Sequence, residues 1–296
     1  MLQAIIDLGS NTVRMNIYRV KNRKYEQLFS KKKTLGLVSY IEDGKLSKQG
    51  IKETISVLNG FIKDAKYLDV DFLDCFATAS LRNIKNSKEA IKAIESACMI
   101  KIDLISDTRE GKLSFKGAIS SIEADSGILI DVGGGSSEIV PFKKHKVISS
   151  ISLPFGSLSL FDKYVTRMLP EKSEIEEMSK KITDALPKDI KPQTRMIAVG
   201  GSIRAINKLL EECQIKTKLS SDITIEMLET LLKKLEGNSK EQYEIILKVK
   251  PERIHTLVPG LIIVLNIARF YKVKAISVSK FGIREGYIQE RIEAYE

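Results

Sequence analysis

The chain has 296 residues, 43% hydrophobic and 29% charged, which suits a soluble globular protein long enough for two domains and a well-buried core. Its net charge of +10 fits a polyanionic ligand as well as a merely solvating lysine surface; without a zinc-finger or RNA-recognition signature, and with no tryptophan, nucleic acid is a weaker candidate than a small or linear phosphate compound. No apolar run reaches the roughly 18 residues that span a membrane, the first residues enter a strand-like run with no basic-then-apolar leader, and three scattered cysteines and two distant histidines fit reduced cytoplasmic thiols and exclude an obvious zinc or disulfide framework.

Residues 2–8 and 13–20 read as strands around a turn at Gly9–Asn11, and a further strand pair flanks Lys21–Lys24. The spacing of Ile51, Ile55, Leu58, Ile62 and Ala65 predicts an amphipathic helix over 47–66, capped by Ser47. A buried strand over 72–77 leads into a polar turn at Thr78–Ser80, then a helix over 87–98 and a strand over 100–105. Asp107 and Thr108 are capping residue types and open a helix over 107–123, with Glu110 in its first turn, where the helix dipole favours a carboxylate. A strand over 127–132 and hairpin arms over 136–150 follow. Beyond residue 170 helices are expected over 171–186, 202–213, 224–235, 240–248 and 258–271, with buried strands over 195–199 and 274–278. Alternating strands and helices predict an α/β protein.

One pattern occurs twice. In Ile6-Asp7-Leu8-Gly9-Ser10-Asn11-Thr12 and in Ile130-Asp131-Val132-Gly133-Gly134-Gly135-Ser136-Ser137-Glu138, an apolar strand ends in an aspartate, a glycine and serine turn follows, and a new strand begins. The repeat implies two related halves, 1–124 and 125–296. Glycine lets the backbone approach a ligand, and successive amides form an anion-binding concavity. Gly200-Gly201-Ser202 adds a third such turn, ahead of a helix N-terminus. Any one of these turns alone is more readily structural than functional. Asp7, Asp131 and Glu138 end or begin strands beside the turns and suit a hard cation, which prefers oxygen ligands. Arg14, Arg82 and Arg204 each lie next to a turn, and guanidinium forks match phosphate oxygens. Spacing alone gives Glu110 no role beyond a helix-start carboxylate.

Together these motifs resemble the exopolyphosphatase / guanosine-pentaphosphatase family of the actin and sugar-kinase superfamily. The resemblance runs along nearly the whole chain: Asp7 to Arg14, Ala77-Thr78-Ala79-Ser80-Leu81-Arg82-Asn83, Ile105 to Glu110, Asp131 to Glu138, Leu153-Pro154-Phe155-Gly156, Ala198 to Ala205, Pro251-Glu252-Arg253 with Val258-Pro259-Gly260, and Phe281 to Gly286. It implies two ribonuclease-H-like domains around a central cleft, magnesium as cofactor, and removal of terminal phosphate from polyphosphate or of the 5′ γ-phosphate from guanosine pentaphosphate. By resemblance Glu110 is the catalytic glutamate, Asp131 and Glu138 handle metal and phosphate, and Arg82 binds substrate. Relatives commonly carry Ser-Gly and then two or three acids where this chain has Ser106-Asp107-Thr108-Arg109-Glu110, and an arginine where Thr34 stands. The chain resembles the short, two-domain form; such relatives often pair as homodimers.

The expected activity is therefore magnesium-dependent hydrolysis of the terminal phosphoanhydride of polyphosphate. Ser10, Asn11, Thr12, Arg14, Arg82, Gly133, Gly134, Gly135, Ser136, Ser137, Gly201 and Ser202 would bind substrate, Asp7, Asp131 and Glu138 the metal, and Glu110 would activate water. Guanosine pentaphosphate hydrolysis uses the same chemistry. A non-catalytic sensor of polyphosphate or a guanosine polyphosphate would bind without turnover, and a superfamily kinase would need a nucleotide and an acceptor.

Overall fold

Apolar strands at the start of the chain build a sheet around which the first helices wrap. In this computed structural model, which describes residues 1–217 and 219–294, β1 (Leu2–Leu8), β2 (Thr12–Lys21) and β3 (Lys24–Thr34) form an antiparallel meander. A small hairpin, β4 (Ile41–Glu42) and β5 (Lys45–Leu46), leads into α1 (Lys48–Tyr67). Then come β6 (Phe72–Ala77), the one-turn α2 (Ala79–Arg82), α3 (Ser87–Cys98), β7 (Ile102–Leu104) and α4 (Asp107–Ile119). The sheet order is β3-β2-β1-β6-β7, with β6 parallel to both β1 and β7. β1 is buried at nearly every position, as a strand covered on both faces must be. β3 is the exposed edge, and Lys31–Lys33 stand on it; lysines on an edge strand discourage pairing with another chain. The Ser47 hydroxyl accepts from the Gly50 amide at 3.2 Å and caps α1, whose Leu58, Phe61 and Ala65 pack onto Ile6, Leu8 and Val13.

The second half begins with β8 (Ser126–Val132), β9 (Ser137–Lys143), β10 (Lys146–Val147) and β11 (Ile151–Leu153). It continues through α5 (Ser157–Tyr164), α6 (Lys172–Ala185), β12 (Arg195–Val199), α7 (Gly201–Glu212), β13 (Asp222–Ile223), α8 (Ile225–Leu235), α9 (Lys240–Val249), α10 (Leu257–Phe270), β14 (Ala275–Val278) and α11 (Ile283–Glu293). The strand order is β10-β9-β8-β12-β14-β13, with β11 pairing with β9. β8, β12 and β14 are parallel, and β9 is antiparallel to β8. α10 is buried from Leu257 to Ala268, as expected of a helix apolar all round. Met178, Ile182, Leu209 and Leu231 share its core.

Each half thus contains an antiparallel pair joined by a tight turn and continued by parallel strands. This is the ribonuclease-H-like α/β plan expected from sequence. Contacts divide the chain into Met1–Glu110 with Tyr287–Glu296, and Gly111–Gly286. The division falls before the 124/125 boundary read from the repeat, because Phe115 and Ala118 of α4 pack with Leu129, Val140 and Phe142 of the second sheet. α4 also stops at Ile119 rather than 123. The Ser120 and Ser121 hydroxyls donate to the Gly117 and Ala118 carbonyls at 2.6 and 3.1 Å, competing with further helical bonds. Its cap is Ser106, whose carbonyl accepts from the Glu110 amide at 2.8 Å and whose hydroxyl accepts from the Arg109 amide at 3.4 Å, not Asp107 or Thr108. No described helix is long and apolar enough to cross a membrane.

Candidate active site

In the first unit, β1, β6 and β7 all point their C-terminal ends the same way, and the polar residues gather at those ends. This is where ligands bind in open α/β sheets. The turn after β1 is braced from outside. The Asn11 carbonyl accepts from the Leu35 and Gly36 amides at 3.0 and 2.9 Å, and that of Ser10 from Val38 at 3.3 Å. The Ser80 hydroxyl closes on the Leu8 carbonyl at 3.2 Å. Asp7 lies opposite Arg14 in the ladder, and Thr12 opposite Thr34. Arg14 Nη1 donates to the Ser30 hydroxyl at 3.2 Å.

Glu110 and Arg82, which sequence treats as separate base and phosphate clamp, are in contact. Arg82 Nη1 donates to Glu110 Oε2 at 2.7 Å and to the Ile105 carbonyl at 2.8 Å, while Nη2 pairs with Asp107. Glu110 is only 7% exposed. A buried carboxylate needs such a partner, since desolvating an unpaired charge is costly. Arg82 Nε and Nη2 are buried with no hydrogen-bond partner among the described residues, Nη2 having only its ion pair with Asp107, so their N–H groups are left over for a ligand oxygen.

In the second unit the glycine turn joins β8 to β9. The Gly133 amide donates to the Ser136 carbonyl at 3.0 Å and closes the turn. The Gly133 and Gly134 carbonyls accept from the amides of Ser157, Leu158 and Ser159 at 2.9 to 3.0 Å, so the turn caps α5. Gly156 is required there because a Cβ would collide with Gly133 and Gly134 backbone atoms. Among the described residues, the amides of Gly134, Gly135 and Ser136 have no protein acceptor. Such successive amides are suited to an anion. Ser137 is different: it is fully buried, and its hydroxyl donates to the Phe155 carbonyl at 3.0 Å.

Asp131 faces Glu138 across the β8–β9 ladder, and Glu138 faces Ser152 of β11. The Ser152 hydroxyl donates to Glu138 Oε1 at 3.0 Å. Ser114 of α4 donates to Asp131. Burial pushes the Asp131 carboxyl above the usual carboxylate range; the Ser114 hydrogen bond and the Arg204 and Arg284 charges pull it back, and Glu285 adds to the rise. Gly200, at φ +109°, turns over this carboxylate so closely that a Cβ would sit 3.2 Å from Asp131 Oδ1 and 2.9 Å from the Val132 carbonyl. Gly201 opens α7 beneath the Arg253 guanidinium, where a Cβ would collide with it. Arg253 Nη1 also donates to the Ser202 hydroxyl at 3.4 Å. The second unit therefore assembles Asp131, Glu138, the glycine turn, Gly201, Ser202 and three arginines.

Ser114, Arg253 and Arg284 carry no site signal in the sequence. Arg253 and Arg284 do sit inside Pro251-Glu252-Arg253 and the Phe281–Gly286 stretch, so motif resemblance marks their neighbourhood but not their role. Ser114 lies in an unremarked helical turn. Among the described residues no three His, Cys, Asp or Glu side chains cluster as ready-made metal ligands.

Residues 16–294 match the model of the Ppx/GppA phosphatase family. The chain belongs to that family. It is 27% identical to a bifunctional 3-dehydroquinate synthase/phosphatase of Fusobacterium nucleatum, an alignment covering 99% of this chain and 47% of that protein. It thus spans about half the length of this curated relative. The Ppx/GppA family member of Aquifex aeolicus superposes with a TM-score of 0.80 at 24% identity, covering 100% of this chain and 99% of the other. An exopolyphosphatase from Cytophaga hutchinsonii superposes at 0.88 with 18% identity, covering 99% and 98%. At these identities the two structures establish the Ppx/GppA fold.

Proposed function

We propose that this Ppx/GppA protein is an exopolyphosphatase, hydrolysing the terminal phosphoanhydride of inorganic polyphosphate and releasing orthophosphate. The observation that carries this reading is the turn whose Gly134, Gly135 and Ser136 amides lack protein acceptors, set between the strand-end carboxylates Asp131 and Glu138. Amides of this kind suit terminal phosphate oxygens. The name of the Cytophaga relative and the phosphatase part of the Fusobacterium one support the same chemistry.

The donor set fits magnesium. That ion keeps several waters and takes one or two carboxylates plus substrate phosphates rather than a full protein cage, so a facing carboxylate pair without a larger ligand cluster is appropriate. Asp131 and Glu138 would hold it, with Asp7 as the corresponding acid of the first unit. Bound there, it would neutralise charge on the phosphoryl oxygens. Gly134, Gly135, Ser136, Gly201 and Ser202 bind phosphate, with Ser10, Asn11, Thr12 and Arg14 as further donors, while Gly133 donates its amide to the Ser136 carbonyl and shapes the turn. Arg82 contributes the N–H groups left on Nε and Nη2 and holds Glu110 in place. Glu110 orients water and takes its proton as the water oxygen bonds to the terminal phosphorus. The bridging P–O bond breaks, and its electrons leave with the shortened chain. Ser137 serves the fold through Phe155.

The test measures phosphate release from long and short polyphosphate and from guanosine pentaphosphate, with and without magnesium. Wild type should turn over polyphosphate in magnesium, and Glu110→Gln should lower kcat by about 10²- to 10⁴-fold. Equal rates in the two proteins would remove Glu110 from the reaction. Preference for guanosine pentaphosphate would reassign the substrate, and tight binding without turnover would make the protein a sensor.

A further inference from the structure

The first turn of α4, Asp107-Thr108-Arg109-Glu110, carries a set of contacts of its own. Arg109 Nη1 donates to both Asp103 oxygens at 2.9 and 2.8 Å, and Nη2 pairs with Glu290 of α11. Its guanidinium lies 5.7 Å from the centre of the Tyr287 ring, within cation–π range. The Tyr287 hydroxyl donates to the same Asp103 at 3.1 Å, and the ring packs on Phe76 at 4.8 Å between centroids. Two positions earlier, Asp107 takes Arg82 Nη2, while Arg82 Nη1 holds Glu110. The first turn of α4 is therefore tied down through both Asp107 and Arg109. Asp103 belongs to β7, and the β7 ladder runs on to β6 and β1, so the tie reaches the sheet itself.

We propose that Arg109 is a positioning residue for Glu110: its fork to Asp103 and Glu290, backed by Tyr287, fixes the helical turn from which the Glu110 carboxylate projects. The inference rests on the reading of Glu110 as the proton acceptor. A helix's first turn lacks part of its internal hydrogen bonding and frays readily. A planar, bidentate guanidinium gives a defined geometry that a lysine cannot reproduce. Burial lowers the Arg109 guanidinium, but its hydrogen bonds to Glu290 and Asp103 more than offset this and leave it above its usual value. It is thus charged at any working pH. A proton acceptor displaced by about 1 Å can cost 10²-fold in rate, so a tie at the adjacent residue acts on turnover and leaves phosphate binding alone.

Arg109→Gln should lower kcat on polyphosphate about 10- to 100-fold with KM changed less than about threefold. Arg109→Lys should recover only part of the loss. The Arg109→Gln/Glu110→Gln double variant should be no slower than Glu110→Gln alone, because a positioning residue has nothing left to position. A merely structural residue would instead add its loss to that of Glu110→Gln. Hydrogen exchange gives a readout independent of turnover: amides 107–110 should exchange about tenfold faster in Arg109→Gln, with α1 unchanged. Unchanged exchange in 107–110, an additive double variant, or a rise in KM at constant kcat would each overturn the proposal. If wild type releases no phosphate from any substrate, the functional reading fails and the exchange experiment alone decides the anchor.

Discussion

Asp131 is held where its own charge is costly. Burial is the largest influence on it and raises its carboxyl, and the Ser114 hydrogen bond, Arg204 and Arg284 only partly compensate. A carboxyl whose folded pKa exceeds the unfolded one keeps its proton longer in the native state. The native state then binds more protons, and stability falls as pH climbs from the ordinary carboxylate range, near 3.9, through the raised folded value. Above that value the penalty is constant. Asp131→Asn removes the charge and keeps the shape. Its Tm relative to wild type should therefore be more favourable at about pH 8 than at about pH 3.5, while phosphate release is lost. Thermal scans across that range check the sign. A difference independent of pH would mean that the arginines fully neutralise Asp131. Gly200, turned over this carboxylate, reflects the same demand, since a Cβ there would press on Asp131 and the Val132 carbonyl.

At the scale of elements, the glycines of α4 and α11 show packing overriding propensity. A Cβ on Gly117 would strike the Gly282 carbonyl, and one on Gly286 the Leu113 carbonyl. Alanine gains up to about 1 kcal/mol over glycine in a helix interior, but overpacking costs about 1–3 kcal/mol, and backbone cannot swing aside as a side chain can. Gly117→Ala should therefore destabilise the protein by about 1–2 kcal/mol in urea unfolding. Gly60→Ala in α1 should stabilise it by about 0.5–1 kcal/mol, because nothing lies within 4 Å of a Cβ at Gly60. Opposite signs from one substitution type would separate packing from propensity, and equal signs would refute the account. The same distinction explains what could be read from sequence. α1, α3 and α8 announce themselves through periodic apolar residues and α10 through continuous hydrophobicity, because their burial follows local order. α5 does not: its first amides are satisfied by Gly133 and Gly134, far back in the chain. α11 carries no such signal either: the ion pairs of its C-terminal part within the first unit, Glu290 with Arg109 and Arg291 with Asp74, join residues remote in sequence. The glycine turns and their acids were legible as contiguous strings. The Arg82–Glu110 pair, Ser114 on Asp131 and Arg253 over Gly201 exist only once the sheets have formed.

For the molecule as a whole, the net charge of +10 bears on encounter more than on the fold. Some of the lysines have local duties: Lys31 pairs with Asp64 at 2.6 Å, a half-exposed pair of the kind that contributes little to stability. The collective field is another matter. A long polyphosphate carries many charges over a span exceeding the Debye length of about 10 Å at 0.1 M salt, so most of its attraction to the protein acts before contact and is screened as salt rises. Attraction of this kind increases association rates by about 10- to 10³-fold in favourable cases. On the exopolyphosphatase reading, kcat/KM for long polyphosphate should fall at least tenfold between about 0.05 and 0.5 M monovalent salt at fixed free magnesium, with kcat nearly constant. On that reading the chemical step would draw on Glu110 and Glu138, which are buried, and buried groups are screened far less. The slope should flatten as the substrate is shortened, and guanosine pentaphosphate, with fewer charges, should give the shallowest dependence. Steady-state phosphate release across salt and chain length measures all of this in one series. A kcat that falls in step with kcat/KM would place the salt sensitivity in the catalytic groups, and a slope indifferent to chain length would show that the basic surface plays no part in capturing substrate.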